Sequence, residues 1–417
     1  MTLAQWLAFI ERQHGQPIAL GLERVNRVAE ALGQRAVCPL ITVGGTNGKG
    51  STCAMLERIL LSAGYRVGLY TSPHILDYNE RVRIDGRPVS GAALCRGFER
   101  VEQARTASGG TPLTYFEYGT LCAWEVFAAE PLDAIILEVG LGGRLDATNI
   151  YEPDAAIVTS VALDHMDFLG STREDIGFEK AGIFRAARPA ICGDANPPRR
   201  LLEHAAAIGA DLQILGRDFG YRQQEGQWQF HGRGGQRSGL ALPALRGQRQ
   251  LGNASCALAA LDALRECLPV AMQDIRRGLA EVELTGRFQV LPGRPTVVLD
   301  VAHNPQAAQV LADNLGSMAF HPQTWAVFGM MRDKDIAGVI AALRGRIDYW
   351  LPATLSGPRA ATAAELAAAL AASGIPGPFP LFADAAAAYA HARKQVSEND
   401  RIVVFGSFLT VADVLSA

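Results

Sequence analysis

The sequence predicts an α/β protein built in two parts: an N-terminal parallel-sheet domain that contains a phosphate loop, and a smaller Rossmann-like C-terminal α/β domain. Three observations predict it. Short apolar runs alternate with helical ones along most of the 417 residues. One of those runs, "PLITV", feeds a glycine-rich turn that opens a helix. The alternation then breaks at the Gly/Pro-rich stretch 284–295, "LTGRFQVLPGRP", and restarts beyond it. A chain of this length also exceeds what one hydrophobic core usually serves.

In chain order, "MTLAQWLAFIERQHG" places Leu3, Leu7 and Ile10 at helical spacing, with Glu11 interrupting the apolar part and no basic leader. That is an amphipathic helix and not a signal peptide. "PLITVGG" is a strand and "KGSTCAMLERILLSAG" the helix after it, ended by Gly64. "RVGLYTS", "DAIILEVG", "DAAIVTSVA" and "RPAICG" are further short strands. From about 216 to 250 the chain turns polar and glycine-rich with alternating aromatics, which predicts an antiparallel appendage to a first domain spanning 1–290. "ASCALAALDALRECL" follows as a helix. In the second domain, 291–417, "TVVLDVA", "TWAVFGM", "DYWLPATL" and "RIVVFGSF" are strands. "PQAAQVLADNLG", "TAAELAAALAAS" and "DAAAAYAHARKQV" are the helices between them.

Composition narrows the function. Hydrophobic residues are 49% and charged residues 19%, and 39 Lys+Arg against 42 Asp+Glu leave a net charge of −3. No basic field or Lys/Arg run points to nucleic acid or a membrane surface, and no apolar run reaches membrane-spanning length. The seven cysteines are scattered without a C-x-x-C pair. They predict reduced thiols in a cytoplasmic protein.

The chemistry gathers at strand ends. In "GGTNGKGST" the standard phosphate-loop spacing is missed: position 43 is Val43 and position 50 is Gly50, so the hydroxyl arrives at Ser51. Four glycines around Lys49 at a strand–helix junction still present amides, a helix N-terminus and a point charge to phosphate. In "LYTSPHILDYNERVRIDG", Ser72 follows a strand end, where sites of open α/β sheets lie; read alone, it starts a turn before Pro73. Glu138 ends the apolar strand of "AIILEVGLGGRLDATN", so it is either a metal ligand or a solvated strand-end carboxylate, with Asp146 in the loop beyond. His165, in "SVALDHMDFLG", is a second metal ligand or a hydrogen-bonded structural histidine. Lys180, next to "AGIF", is a desolvated amine or a surface lysine. "VVLDVAHNP" sets Asp300, His303 and Asn304 just past a strand, as a polar-ligand site facing an interdomain cleft would require.

Together these segments resemble the folylpolyglutamate synthase/dihydrofolate synthase family, relatives of the Mur ligases. The matching segments run in order: "GLERVNRVAEALG", "GTNGKGST", "TSPHILDYNERV", "TYFEYGT", "EVGLGGRLDATN", "LDHMDFLG", "EKAGI", "TGRF", "LDVAHNP" and "GMMRDKD". The resemblance implies a Mur-ligase-like central domain for the first part and a glutamate-ligase domain for the second. It implies that Asn47, Gly48, Lys49, Gly50, Ser51, Asn253, Arg287 and Asp300 bind ATP. Ser72, Glu138 and His165 match magnesium ligands, with two Mg²⁺ expected. Lys180 matches a lysine that becomes carbamylated. Thr114, Tyr115, Phe116, Glu117, Leu145, Asp146 and Ala147 match segments lining the pteroate site, and His303 and Ser407 lie near the incoming glutamate. Two positions depart from the pattern: Val301 stands where glycine is common, and Arg249 where histidine is frequent.

The implied reaction is ATP-dependent ligation. The γ-phosphoryl group passes to a carboxylate, and the amine of L-glutamate displaces phosphate from the acyl phosphate. The implied substrates are dihydropteroate, reduced folates and L-glutamate, handled by a monomer whose domains close over the site. Three rivals fit less of the chain. A Mur-type ligase of a non-folate substrate leaves the pteroate segments unexplained. A P-loop GTPase or kinase switch needs an [NT]-K-x-D string, which "RDKD" at 332–335 is not. A non-catalytic folate binder gives the phosphate and metal residues no purpose.

Overall fold

The structure, a computed structural model, describes residues 1–16, 18–33 and 38–417. They divide into two compact units: Met1–Ala244 with Leu251–Val282, and Leu245–Gln250 with Glu283–Ala417.

The first unit runs α1 (Leu3–Ile10), α2 (Glu23–Leu32), β1 (Leu40–Gly44), α3 (Lys49–Ser62), β2 (Val67–Tyr70), β3 (Val82–Ile84), β4 (Arg87–Pro88), α4 (Gly91–Ala107), α5 (Tyr115–Ala128) and β5 (Ala134–Glu138). It continues with β6 (Ala155–Val158), α6 (Met166–Leu169), α7 (Arg173–Ala181), β7 (Pro189–Cys192), α8 (Arg199–Ile208) and β8 (Asp211–Ile214). Its last elements are β9 (Gly220–Gln224), β10 (Gln227–Gly232), β11 (Gly235–Ala241), α9 (Gln250–Ala263) and α10 (Met272–Glu281). Eight strands form one sheet in the order β4-β3-β2-β5-β1-β6-β7-β8. From β2 to β8 every neighbouring pair is parallel, so all six of these strands point their carboxyl ends at the same edge. β1, β5 and β6 are buried along their whole length, which is why they read as unbroken apolar runs. β3 and β4 add an antiparallel ribbon at one margin of the sheet.

One face of that sheet carries α4 and α5 over a core of Tyr70, Phe98, Leu121, Phe127 and Leu137, joined by Trp6 and Ile10 of the N-terminal helix. Each large apolar side chain buried there contributes about 1.5–3 kcal/mol. Further along the sheet, α7 and α8 cover Val139, Ala156 and Val158. α3 packs closely against α10, where a β-carbon on Gly278 would stand 2.6 Å from the Ile59 backbone. The 216–250 region contains the expected antiparallel sheet, β11-β10-β9, with Trp228 and Phe230 buried and their strand neighbours facing outward.

The second unit runs β12 (Gln289–Leu291), β13 (Thr296–Leu299), α11 (Pro305–Ser317), β14 (Thr324–Phe328), α12 (Ile336–Leu343), β15 (Tyr349–Pro352), α13 (Ala363–Ala372), α14 (Ala385–Gln395), β16 (Arg401–Phe405) and α15 (Phe408–Leu415). Its sheet has the order β12-β13-β16-β14-β15, with only β12 antiparallel. β12 lies inside the Gly/Pro-rich stretch 284–295 where the alternation breaks; its three residues pair with β13 as an edge strand. β16, the last strand in sequence, is inserted between β13 and β14, so the connections out of adjacent strands diverge at β16. α11, α12 and α13 pack in series, and α14 packs on α15.

Candidate active site

The glycine loop connects β1 to α3. Gly45 and Gly48 adopt φ of +139° and +92°, which only glycine takes without strain. Both are also crowded: a β-carbon on Gly45 would meet Thr159 Oγ1 at 2.0 Å, and one on Gly48 would meet Asn253 Oδ1 at 2.5 Å. Lys49 donates from Nζ to the carbonyls of Gly45 and Thr46, at 3.1 and 3.4 Å, which folds its ammonium over the loop. Ser51 and Thr52 are buried in the first turn of α3. A loop amide and helix N-terminus with a lysine over them form an anion cradle. Asn253, 205 positions beyond Gly48 in the chain, is brought against it by α9.

Neighbouring strands bring the other candidates to the same edge. Val43 on β1 is in register with Glu138 on β5, and Leu137 with Tyr70 on β2. Two residues past Tyr70, Ser72 donates its backbone N–H to the Glu138 carboxylate at 3.2 Å. Glu138 is only 4% exposed, so the solvated strand-end alternative does not hold. Beyond β6, His165 takes a left-handed conformation (φ +51°), and its N–H donates to Asp164 Oδ1 at 2.9 Å. Among the described residues no three His, Cys, Asp or Glu side chains converge into a complete metal cage. The oxygen and imidazole donors present suit an ion that takes its remaining ligands from phosphate.

Lys180, near the end of α7, is 4% exposed, so it is not a surface lysine. Burial, reinforced by the charge of nearby Lys49, pulls its ammonium pKa down from 10.5 to about 7, against the pull of Asp164 and Asp146. Those three influences place Lys180 amid the phosphate loop, the His165 loop and the Asp146 loop.

Thr114–Glu117 opens α5 with a capping box: Thr114 Oγ1 accepts from the Glu117 N–H, and the Glu117 carboxylate accepts from the Thr114 N–H at 2.7 Å. Glu117 is also paired with Arg24 at 3.0 Å. Tyr115 lies under the Arg81 guanidinium, 5.5 Å from its ring centre, and Phe116 fills the space that a β-carbon on Gly140 would take. Asp146 is fully engaged in ordering its own loop, accepting from the Leu141 and Thr148 N–H groups and the Thr148 hydroxyl; burial pushes its carboxyl up. Leu145 is half-buried and Ala147 buried beside it.

In the second unit, Asp300 and His303 follow β13, and Ser407 follows β16, at one of the points where connections diverge. Such divergence opens a crevice at the carboxyl ends of the strands. The Asp300 carboxylate accepts from the Phe288 and Ala302 N–H groups at 2.9 and 2.7 Å. Burial raises its pKa to about 6 despite nearby Arg287. Arg287 stacks over the Phe408 ring at 5.0 Å. His303 Nδ1 meets the Val301 carbonyl at 2.9 Å, which fixes the proton on Nδ1, since a carbonyl can only accept. Ser407 caps α15 through its own hydroxyl.

Two family models match the chain: the Mur ligase middle domain over residues 117–261 and the Mur ligase glutamate ligase domain over 286–408. The dihydrofolate synthase/folylpolyglutamate synthase of Escherichia coli (strain K12) is 46% identical over 414 residues, covering 99% of this chain and 94% of the relative. The chain belongs to the dihydrofolate synthase/folylpolyglutamate synthase family. A Mycobacterium tuberculosis member is 34% identical over 376 residues, 84% of this chain and 77% of its own. The solved structure of E. coli FolC in complex with DHPP and ADP superposes with a TM-score of 0.93 at 46% identity, covering 100% of this chain and 97% of that one. A family structure with Mn, AMPPNP and L-glutamate bound gives 0.92 at 44% identity, covering 100% and 98%.

For a dihydrofolate synthase/folylpolyglutamate synthase, the first unit therefore gathers Lys49, Ser72, Glu138, Asp146 and Lys180 at one sheet edge, with Asn253 on the phosphate loop. The second gathers Arg287, Asp300, His303 and Ser407. Sequence reasoning does not reach Thr46, Thr159, Ser160, Asp164 or Arg24, which hold these residues in place. Serine and threonine at strand ends are too common to signal a tertiary role, and Arg24 meets Glu117 across 93 positions of chain.

Proposed function

We propose that this protein is an ATP-dependent ligase that joins L-glutamate to dihydropteroate, forming dihydrofolate, and extends the glutamate tail of reduced folates. The observation that carries this reading is the match along 99% of the chain to a relative named for both activities. The relatives solved with ADP, with AMPPNP and Mn, and with DHPP or L-glutamate support the same substrate set.

The acceptor carboxylate is a poor acyl donor until its oxygen becomes a phosphate leaving group. Lys49 and the amides of Gly48, Gly50 and Ser51 would hold the nucleotide phosphates, and Asn253 would fix the loop from behind. Ser72, Glu138 and His165 would hold Mg²⁺, which supplies neutralisation of the charge that develops on the transferring phosphoryl group. Phe116, Tyr115 and the ordered Asp146 loop would form the wall against the pteridine-bearing acceptor. Burial lowers the pKa of the Lys180 amine and so favours its neutral form, which is the form that adds CO₂; we read it as the carbamylated lysine. Arg287 and Asp300 would contact the nucleotide, and His303 and Ser407 the incoming glutamate, whose neutral amine attacks the acyl phosphate and releases phosphate.

The test is ADP release with ATP, Mg²⁺ and L-glutamate, adding dihydropteroate or tetrahydrofolate separately and weighing the products. A gain of one glutamate on both acceptors is expected. No gain on either, with ATP still bound, would overturn the substrate assignment.

A further inference from the structure

The phosphate loop of this protein does not support itself. Asn47, at its tip, has both backbone groups taken by the end of β6: its N–H donates to Ser160 Oγ at 3.0 Å, and its carbonyl accepts from Thr159 Oγ1 at 2.7 Å and Ser160 Oγ at 3.0 Å. The Thr46 N–H donates to the Ser160 carbonyl at 2.8 Å. The Thr46 hydroxyl then closes a second link, donating to the Ala162 carbonyl at 3.2 Å and accepting from the Ala162 N–H at 3.0 Å. Ala162 is three residues before His165, on the same strand-end segment. That segment needs an external fixture, because His165 sits in a left-handed conformation that few non-glycine residues adopt.

Thr46 is therefore shared. Its backbone belongs to the anion cradle, and its side chain reproduces, on the Ala162 segment, the paired donor and acceptor of a strand neighbour. Movement of the loop onto phosphate and movement of His165 onto a metal cannot be independent while both hydrogen bonds stand. We propose that Thr46 is a positioning residue that couples nucleotide and metal binding: its hydroxyl sets the phosphate loop and the His165 segment in one register, so that each ligand organises the site of the other. This rests on the proposed ATP and metal roles above. By linkage, such coupling appears as a metal-dependent tightening of nucleotide binding and an equal nucleotide-dependent tightening of metal binding.

The experiment is calorimetric titration of the full-length protein with AMPPNP, in Mg²⁺ and in EDTA, for the wild type, Thr46→Val and Thr46→Ser. Valine keeps the shape and β-branching of threonine and removes both bonds to Ala162, whereas serine keeps the hydroxyl. Thr46→Val is expected to reduce the Mg²⁺-dependent tightening, the ratio of the affinities in Mg²⁺ and in EDTA, by about tenfold, or about 1.4 kcal/mol. Thr46→Ser should restore it. An unchanged Mg²⁺ effect in Thr46→Val overturns the coupling role. So does an equal loss of affinity in EDTA and in Mg²⁺, which marks a purely structural threonine. A wild type whose AMPPNP affinity ignores Mg²⁺ overturns the metal assignment itself, and that outcome is separable because it precedes any variant.

Discussion

Asn253 Oδ1 lies 2.5 Å from the point where a β-carbon on Gly48 would stand. A β-carbon at residue 48 would require Asn253 to shift, and the φ of +92° strains any residue other than glycine independently. Gly48→Ala should therefore cost about 1–3 kcal/mol in backbone strain, before any displacement of Asn253. Urea unfolding should register that loss, and ATP affinity should fall at least tenfold. Unaltered ATP binding in a stable Gly48→Ala protein would show that Asn253 does not set the cradle.

Glu138→Gln keeps an acceptor for the Ser72 N–H and removes the charge. If Glu138 holds the metal, turnover should drop at least about 100-fold, in keeping with the several kcal/mol a metal contributes to phosphoryl transfer. The melting temperature should stay near that of the wild type, since a neutral amide is easier to bury than a carboxylate.

Lys180 gives a pH signature. Between about 7 and 10.5 the unfolded chain holds a proton on this amine that the folded chain lacks, so stability from this residue rises with pH across that window. Below pH 7 both states are protonated and the burial penalty is constant. Thermal unfolding of Lys180→Met should lack that rise. If the amine is carbamylated, enzyme stripped of CO₂ should regain activity with bicarbonate faster at pH 8 than at pH 6.5, and Lys180→Arg should not respond.

Glu57 behaves in the opposite sense. It is buried in α3, paired with Arg83 at 3.1 Å, and its Oε1 has no hydrogen-bond partner among the described residues; burial lifts its pKa from 4.5 to about 6. From pH 4.5 to 6 the folded state holds the extra proton, so stability falls as pH rises, by at most about 2 kcal/mol. Glu57→Gln should flatten that part of a denaturant-midpoint curve against pH. An identical slope in the variant would place the titration elsewhere.

The strand ends and the glycine loop were legible because burial on both faces of a parallel sheet leaves apolar runs such as "DAIILEVG" that stop where polar chemistry begins. Glu138 and Lys180 could not be separated from solvated residues by sequence, since their burial depends on helices and loops distant in the chain. β8 and α10 give no expectation above: "DLQI" is too short and mixed, and "MQDIRRGLAE" is a strongly polar helix with only Ile275, Gly278 and Leu279 buried. The Thr114–Glu117 capping box is visible as T-x-x-E, but its pairing with Arg24 is a matter of tertiary contact.

The strand order β2-β5-β1-β6 also works as a ruler. Adjacent strands are about 4.8 Å apart, so Ser72, Glu138, the glycine loop and the His165 segment issue from the sheet at fixed intervals spanning about 14 Å. Glu138 and the His165 segment come from strands on opposite sides of β1, the strand that feeds the glycine loop. The pitch of the backbone hydrogen-bond ladder, more than any side-chain choice, thus sets how far apart charge and counter-charge stand. Substitutions within these strands can change the chemistry at each tooth of this comb, but only a change of strand order could change the spacing between the teeth.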